Sequence, residues 1–155
     1  MFLTHPDNWV KCRENNLFGF DEEYAYTVEH YMRPGDHAMI YLAKHSAIWG
    51  VVEIIDIMLN QTEPIGWLKK GWEARKGEKI IGAFPARVRF RTVCEVNPPR
   101  KINGNINESR NQLEYITDKK RWNVFVQIAL CRVPEADIKT VISWANDGVG
   151  CRNYA

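Results

Sequence analysis

Four stretches of this chain carry residue types at spacings that could do chemistry. Asn15–Phe20 reads NNLFGF, two aromatic rings either side of a glycine behind a pair of asparagines. FPARVRFR sets Arg87, Arg89 and Arg91 on alternate positions, KKRWN runs from Lys119 to Asn123, and Trp67 and Trp72 lie among Lys69, Lys70, Arg75 and Lys76. Aromatic faces stack bases at roughly 1–3 kcal/mol each, and cations neutralise phosphates. The plain structural alternative stands beside this: most rings in a small domain are core.

The motifs of common enzymes are missing. The sequence has no GxxxxGK[ST], no GxGxxG and no GxSxG. The histidines His5, His30, His37 and His45 and the cysteines Cys12, Cys94, Cys131 and Cys151 are scattered. A zinc site needs ligands paired at short spacing, so no metal and no cofactor are expected. Four free thiols in a reducing compartment are the simplest reading.

Composition bounds the rest. The 155 residues suffice for one domain, 1–155, with a real core, and 45% hydrophobic with 26% charged residues is ordinary for a globular chain. No apolar run approaches the ~18 residues of a membrane span. MFLTHPDNW lacks the basic and apolar regions of a secretory signal, so a cytoplasmic location and no membrane partner are expected. The net charge of +2 is uneven: residues 1–60 hold 4 Lys/Arg against 9 Asp/Glu, and residues 61–155 hold 17 against 10. That asymmetry hints at a side facing a polyanion, although charge runs are more often solvated surface.

These residues must be held by a frame. PDNWVKCRENN reads as a short helix capped by Thr4 or Asp7 and ended by Asn15-Asn16, because asparagine tolerates the left-handed region. DEEYAYTVEHY (21–31) is helix or loop, and MRPGD is a turn. HAMIYLA (37–43) and AIWGVVEIIDIML (47–59) read as a hairpin, with Gly50 marking a bulge or a close backbone approach. Residues 60–83 form a long polar excursion. FPARVRFRTVCEV (84–96) alternates: Phe84, Ala86, Val88, Phe90, Thr92, Cys94 and Val96 on one face, Arg87, Arg89 and Arg91 on the other, with Pro98-Pro99 as its end. A last helix follows Pro134, with Ile138, Val141, Ile142 and Ala145 at the spacing of one buried face and Gly148 as its stop. The class is mixed α/β of the α+β kind, with uneven connections rather than βαβ units.

The order DNW, NLFGF, PGD, a tyrosine-bearing strand, WGVVEI, FPARVRF, KKRW and a final helix resembles an EVE domain, over about residues 3–145. The similarity looks closest to the small stand-alone EVE proteins of prokaryotes. It implies a PUA-like fold: a mostly antiparallel curved β-barrel with flanking helices and an aromatic-lined pocket. Related folds such as YTH domains hold a flipped or unpaired modified base there, and EVE domains are proposed to read modified bases in DNA or RNA. Asn8 and Trp9 match the family's (E/D)NW, Tyr41 its strand tyrosine, and Arg121 and Trp122 its (K)RW. Phe18 takes the place of a family tryptophan, with less stacking area and no N–H donor.

Three functions compete. The first is a non-enzymatic nucleic-acid binder whose partner is DNA or RNA carrying a modified base. Its pocket would comprise Trp9, Phe18, Phe20, Tyr41, Trp49 and Trp122, with edge contacts from Asn8, Asn123 or the backbone at Gly19. Arg87, Arg89, Lys119, Lys120 and Arg121 would hold phosphates. Within NNLFGF, Phe18 would wall the pocket and Phe20 join the core. The second is a small-molecule-binding or hydrolytic enzyme of the ASCH type, with Glu53 as the carboxylate to watch. The third is a protein-interaction module using exposed tryptophans of 60–83 as anchors.

Overall fold

The structure, a computed structural model, describes residues 1–69, 80–104 and 107–146. Gly148, the expected stop of the last helix, lies outside them, as do Trp72 and the neighbouring basic residues Lys70, Arg75 and Lys76.

The first strand, β1 (Phe2–Thr4), leads into α1 (Pro6–Asn15). The N-cap of α1 is His5, whose ring accepts from the Asp7 N–H, so neither Thr4 nor Asp7 takes that role. Pro6 occupies the first turn, where its missing N–H costs no helical bond. Asn16 ends the helix in the left-handed region at φ 51°, as expected of an asparagine there. LFGF then forms β2 (Leu17–Phe20). The ambiguous 21–31 stretch is a 3-10 turn over Glu22–Tyr24 followed by α2 (Ala25–Tyr31).

The expected hairpin is β3 (His37–Leu42) and β4 (Ala47–Met58), antiparallel and joined by a 3-10 turn over Ala43–His45. Gly50 meets both of its expectations. Ile40 pairs with Gly50 and Tyr41 with Ile48, which makes Trp49 the extra residue of a bulge. A Cβ on Gly50 would stand 2.2 Å from the Cys94 carbonyl oxygen, so only a bare backbone lets the next strand approach. That strand is β5 (Ala86–Lys101). It starts two residues later than alternation predicts and runs through Pro98-Pro99. A proline in a strand forfeits only the one ladder bond its N–H would have made. Two helices follow, α3 (Glu108–Asn111) and α4 (Glu135–Asn146), with a 3-10 turn over Trp122–Val126 between them.

The class is α+β, and the strands form one five-stranded sheet of order β1-β3-β4-β5-β2 with helices flanking it. The pair β1–β3 is parallel, while β3–β4 and β2–β5 are antiparallel. The three longest predicted strands are neighbours, in the predicted order. Among the described residues no helix is long and apolar enough to cross a membrane.

The chain divides into two compact units. One comprises Met1–Thr4, His37–Glu53 and the described residues of Thr92–Ala155. Its core gathers Met39, Tyr41, Ile48, Val51, Leu113, Ile116, Val141 and Trp144. Asp137, fully buried on α4, accepts from the Glu114 and Tyr115 N–H groups at 2.7 and 3.0 Å and so ties the 113–116 segment to that helix. The other unit comprises His5–Asp36 and the described residues of Ile54–Arg91. It contains α1, β2, α2, the end of β4, the described residues of the excursion and the start of β5.

Candidate functional site

The unit built from His5–Asp36 and the described residues of Ile54–Arg91 holds seven of the predicted site residues: Asn8, Trp9, Phe18, Gly19, Phe20, Arg87 and Arg89. Register sorts them onto two faces. Phe18 pairs with Val88 and Phe20 with Ala86, while Gly19 pairs with Arg87 and Leu17 with Arg89. Paired residues of neighbouring strands point the same way, so Phe18 and Phe20 share one face and Gly19 and Arg87 the other.

The phenylalanine face is core. Phe18 and Phe20 are 3% and 2% exposed, and their ring centroids are 4.9 Å apart. Trp9 stacks on Phe90 at 5.6 Å and meets Phe18 at 6.4 Å. Burial therefore does not divide the two phenylalanines into a pocket wall and a core ring.

The Gly19 face is where the chain's own backbone lies bare, and Trp67 covers it. A Cβ at position 19 would come within 2.5 Å of the Trp67 ring, so the glycine is what admits the indole. The Arg87 guanidinium carbon lies 5.3 Å from the centre of the same ring, within cation–π range. Phe84 meets it edge-on at 5.8 Å. Trp67 is 2% exposed, which corrects the reading of this tryptophan as an exposed anchor.

Trp67 belongs to a two-armed strap formed by residues 61–69 and 80–85. Leu68 bridges Ile81, the Gly82 N–H donates to the Trp67 carbonyl at 2.9 Å, and the Gln61 N–H donates to the Pro85 carbonyl at 3.0 Å. Three side chains hold the strap by its backbone. Asn8 Nδ2 donates to the Leu68 carbonyl at 2.8 Å, and Asn8 Oδ1 accepts from the Leu68 N–H at 2.9 Å. Lys11 Nζ donates to the Gly66 carbonyl at 2.5 Å. Arg87 donates to the carbonyls of Phe84 (3.1 Å), Ala83 (3.0 Å) and Glu63.

Arg87 is thus a correction to the sequence reading. Alternation placed it on the arginine face, and it is there. The strap covers that end of the face, so Arg87 is 3% exposed and its fork is committed to carbonyls rather than open to phosphate. Burial pulls its pKa down, and the Glu63 charge opposes that shift. Arg89 and Arg91 lie beyond the strap and are exposed. Beneath the strap, burial pushes the Cys12 thiol up to about 12, with a contact to Trp67 opposing part of the shift.

The remaining predicted residues lie in the other unit. Tyr41 is in its core and Trp49 is the buried bulge residue. Burial raises the Tyr41 pKa, and a hydrogen bond with Ser46 opposes the rise. Lys119 Nζ donates to the Leu113 carbonyl and, at 3.4 Å, to that of Arg110, so it works as an internal clamp. Lys120, Arg121 and Asn123 are exposed, with Arg121 Nε donating to Asp118 at 2.8 Å. Trp122 is half-buried, with the Arg110 guanidinium carbon 5.6 Å from its ring centre.

Sequence reasoning left Lys11, Phe84 and the covering role of Trp67 out of the site. A signal for the last was present, since IGWL (65–68) is a short apolar run in a polar stretch and a bare Gly19 needs something flat to cover it. Their pairing is a long-range contact that no local pattern encodes.

No protein-family model matches the chain. It is similar to the UPF0310 protein PH1033 of Pyrococcus horikoshii, 28% identical over 143 residues covering 90% of this chain and 92% of that protein. It is also similar to the UPF0310 protein PYRAB08750 of Pyrococcus abyssi, 27% identical over 147 residues covering 91% of this chain and 94% of that one.

Proposed function

We propose that this protein is a non-enzymatic nucleic-acid-binding module that holds one unpaired base, in a modified form, on the Gly19–Arg87 face. The observation that carries the reading is the seating of Trp67. A flat two-ring system lies against bare backbone, under a guanidinium, with an amide side chain beside it that both donates and accepts. Stacking, a cation and an edge-reading amide are the elements by which proteins hold an extruded base. The resemblance to EVE domains in motif order supports the same reading, as does the basic balance of residues 61–155. Exposed Arg89, Lys120 and Arg121 supply cations suited to phosphates.

The test is binding to single-stranded oligonucleotide pools with and without modified bases, at two salt concentrations. Tighter binding to a modified pool, weakening as salt rises, is the expected result. Equal affinity for all pools removes the modified-base reading, and no binding removes nucleic acid altogether.

A further inference from the structure

We infer that Trp67 occupies the place of the ligand, and that the ligand exchanging with it is a purine presenting a donor beside an acceptor, as adenine does. This inference rests on the nucleic-acid reading above and adds to it the class of base and the element that controls access.

The hydrogen-bond pattern points this way. Asn8, Lys11 and Arg87 grip the strap by its backbone, contacts that do not read its sequence, and Asp21 adds an ion pair to the Lys69 side chain at 3.5 Å. The strap's own side chain that fills the Gly19 face is Trp67, and its indole has the two-ring outline of a purine. Release of the strap would free three things together: the bare Gly19 surface, the Arg87 guanidinium and the Asn8 amide. The Asn8 amide now binds Leu68 through Nδ2 and Oδ1 at once. That is the bidentate geometry with which an asparagine reads the N6 and N7 edge of adenine. A guanidinium over a base replaces a guanidinium over an indole without a change of chemistry.

The strap also carries backbone geometry that a side chain adopts at a cost. Phe84, which braces the Trp67 edge, has φ +44°, in the left-handed region that bulky residues avoid. A strained brace favours a segment that opens below global unfolding.

Hydrogen exchange on the wild-type protein without ligand tests the opening alone. The N–H groups of Leu68, Lys69 and Gly82 bond within the strap or to Asn8, whereas the Phe90 N–H bonds to the Asn16 carbonyl outside the strap. The strap amides should exchange at least about tenfold faster than Phe90, in intrinsic-rate-corrected terms. If all four exchange together by global unfolding, the strap is core and the inference is overturned.

The ligand class is tested with nine-residue thymidine oligonucleotides carrying either a central adenine or thymine throughout. The adenine oligonucleotide should bind more tightly and should speed exchange at Leu68 and Gly82. Trp67→Ala, which removes the competitor, should tighten its binding on the order of tenfold. Asn8→Ala added to that variant should erase the preference for adenine. If Trp67→Ala does not fold, Trp67→Phe and the exchange data on the wild type decide. Oligonucleotide binding with strap amides still protected would overturn the exchange while leaving the nucleic-acid reading intact. Binding by neither protein would overturn both.

Discussion

At the scale of single residues, burial decides what NNLFGF does. Phe18 and Phe20 are side by side in the core, so Phe18→Ala and Phe20→Ala should each cost roughly 3–5 kcal/mol of stability. Urea unfolding measures both, and a Phe18→Ala protein as stable as wild type would show that its ring is not core. Cys12 adds a pH-dependent contribution. Its thiol, with an ordinary value near 9.0, is pushed to about 12 by burial. The native state therefore holds that proton more tightly than the unfolded chain does. The resulting stability is fully present below pH 9 and is lost as pH rises towards 12, at up to about 1.4 kcal/mol per pH unit. Cys12→Ala lacks this titration. Between pH 8 and 10.5 the free-energy advantage of wild type over Cys12→Ala should shrink by about 2 kcal/mol, and an advantage that stays constant over that range would refute the assignment.

At the scale of elements, β5 carries two arginines of one face to opposite fates. Arg87 is under the strap and bonded to three carbonyls, while Arg89 is exposed two residues on. Arg87→Ala should destabilise by roughly 1–3 kcal/mol through the carbonyls it leaves buried and unpaired. It should barely change the salt dependence of oligonucleotide binding. Arg89→Ala should do the reverse, leaving stability within about 0.5 kcal/mol and lowering the slope by roughly 0.7 for a single-strand phosphate contact. Thermal melts and binding isotherms on the two variants separate the roles, and identical behaviour would mean the strap does not cover Arg87 in solution. Within β5 the alternation also changes phase, because Thr92 is exposed and Val93 and Cys94 are both buried. Cys94 sits where Gly50 allows close approach of the backbone, so packing rather than strict period sets the pattern there.

At the scale of the whole molecule, the uneven charge is the property to measure. Exposed Arg89, Lys120 and Arg121 are drawn from the basic 61–155 portion of the sequence. Replacing all three with alanine should lower the slope of log affinity against log salt by about 2 for single strands. Stability should move little, because exposed charges contribute weakly to folding. A triple variant with an unchanged slope would move the phosphate contacts elsewhere or remove them. Each compact unit has its own aromatic residues, so spectroscopic assignment of the six tryptophans is needed before fluorescence changes are ascribed to Trp67.

The sequence by itself determined the local rules. Asn16 in the left-handed region, Gly50 at a bulge, the α4 stripe and the side to which the β5 arginines point all follow from backbone sterics and side-chain period. That β3, β4 and β5 are neighbours was also legible, because their apolar runs are long and β-prone. The tertiary structure decided coverage. Whether Arg87 meets water, whether Gly19 faces a ligand or an indole, and whether Trp67 is an anchor or a cover depend on where residues 61–69 and 80–85 lie. Some of those contacts join distant positions, 60 apart in the chain for Asn8 and Leu68 and 24 for Arg87 and Glu63. They are made largely to backbone atoms, which every residue possesses, so no pattern of residue types could announce them.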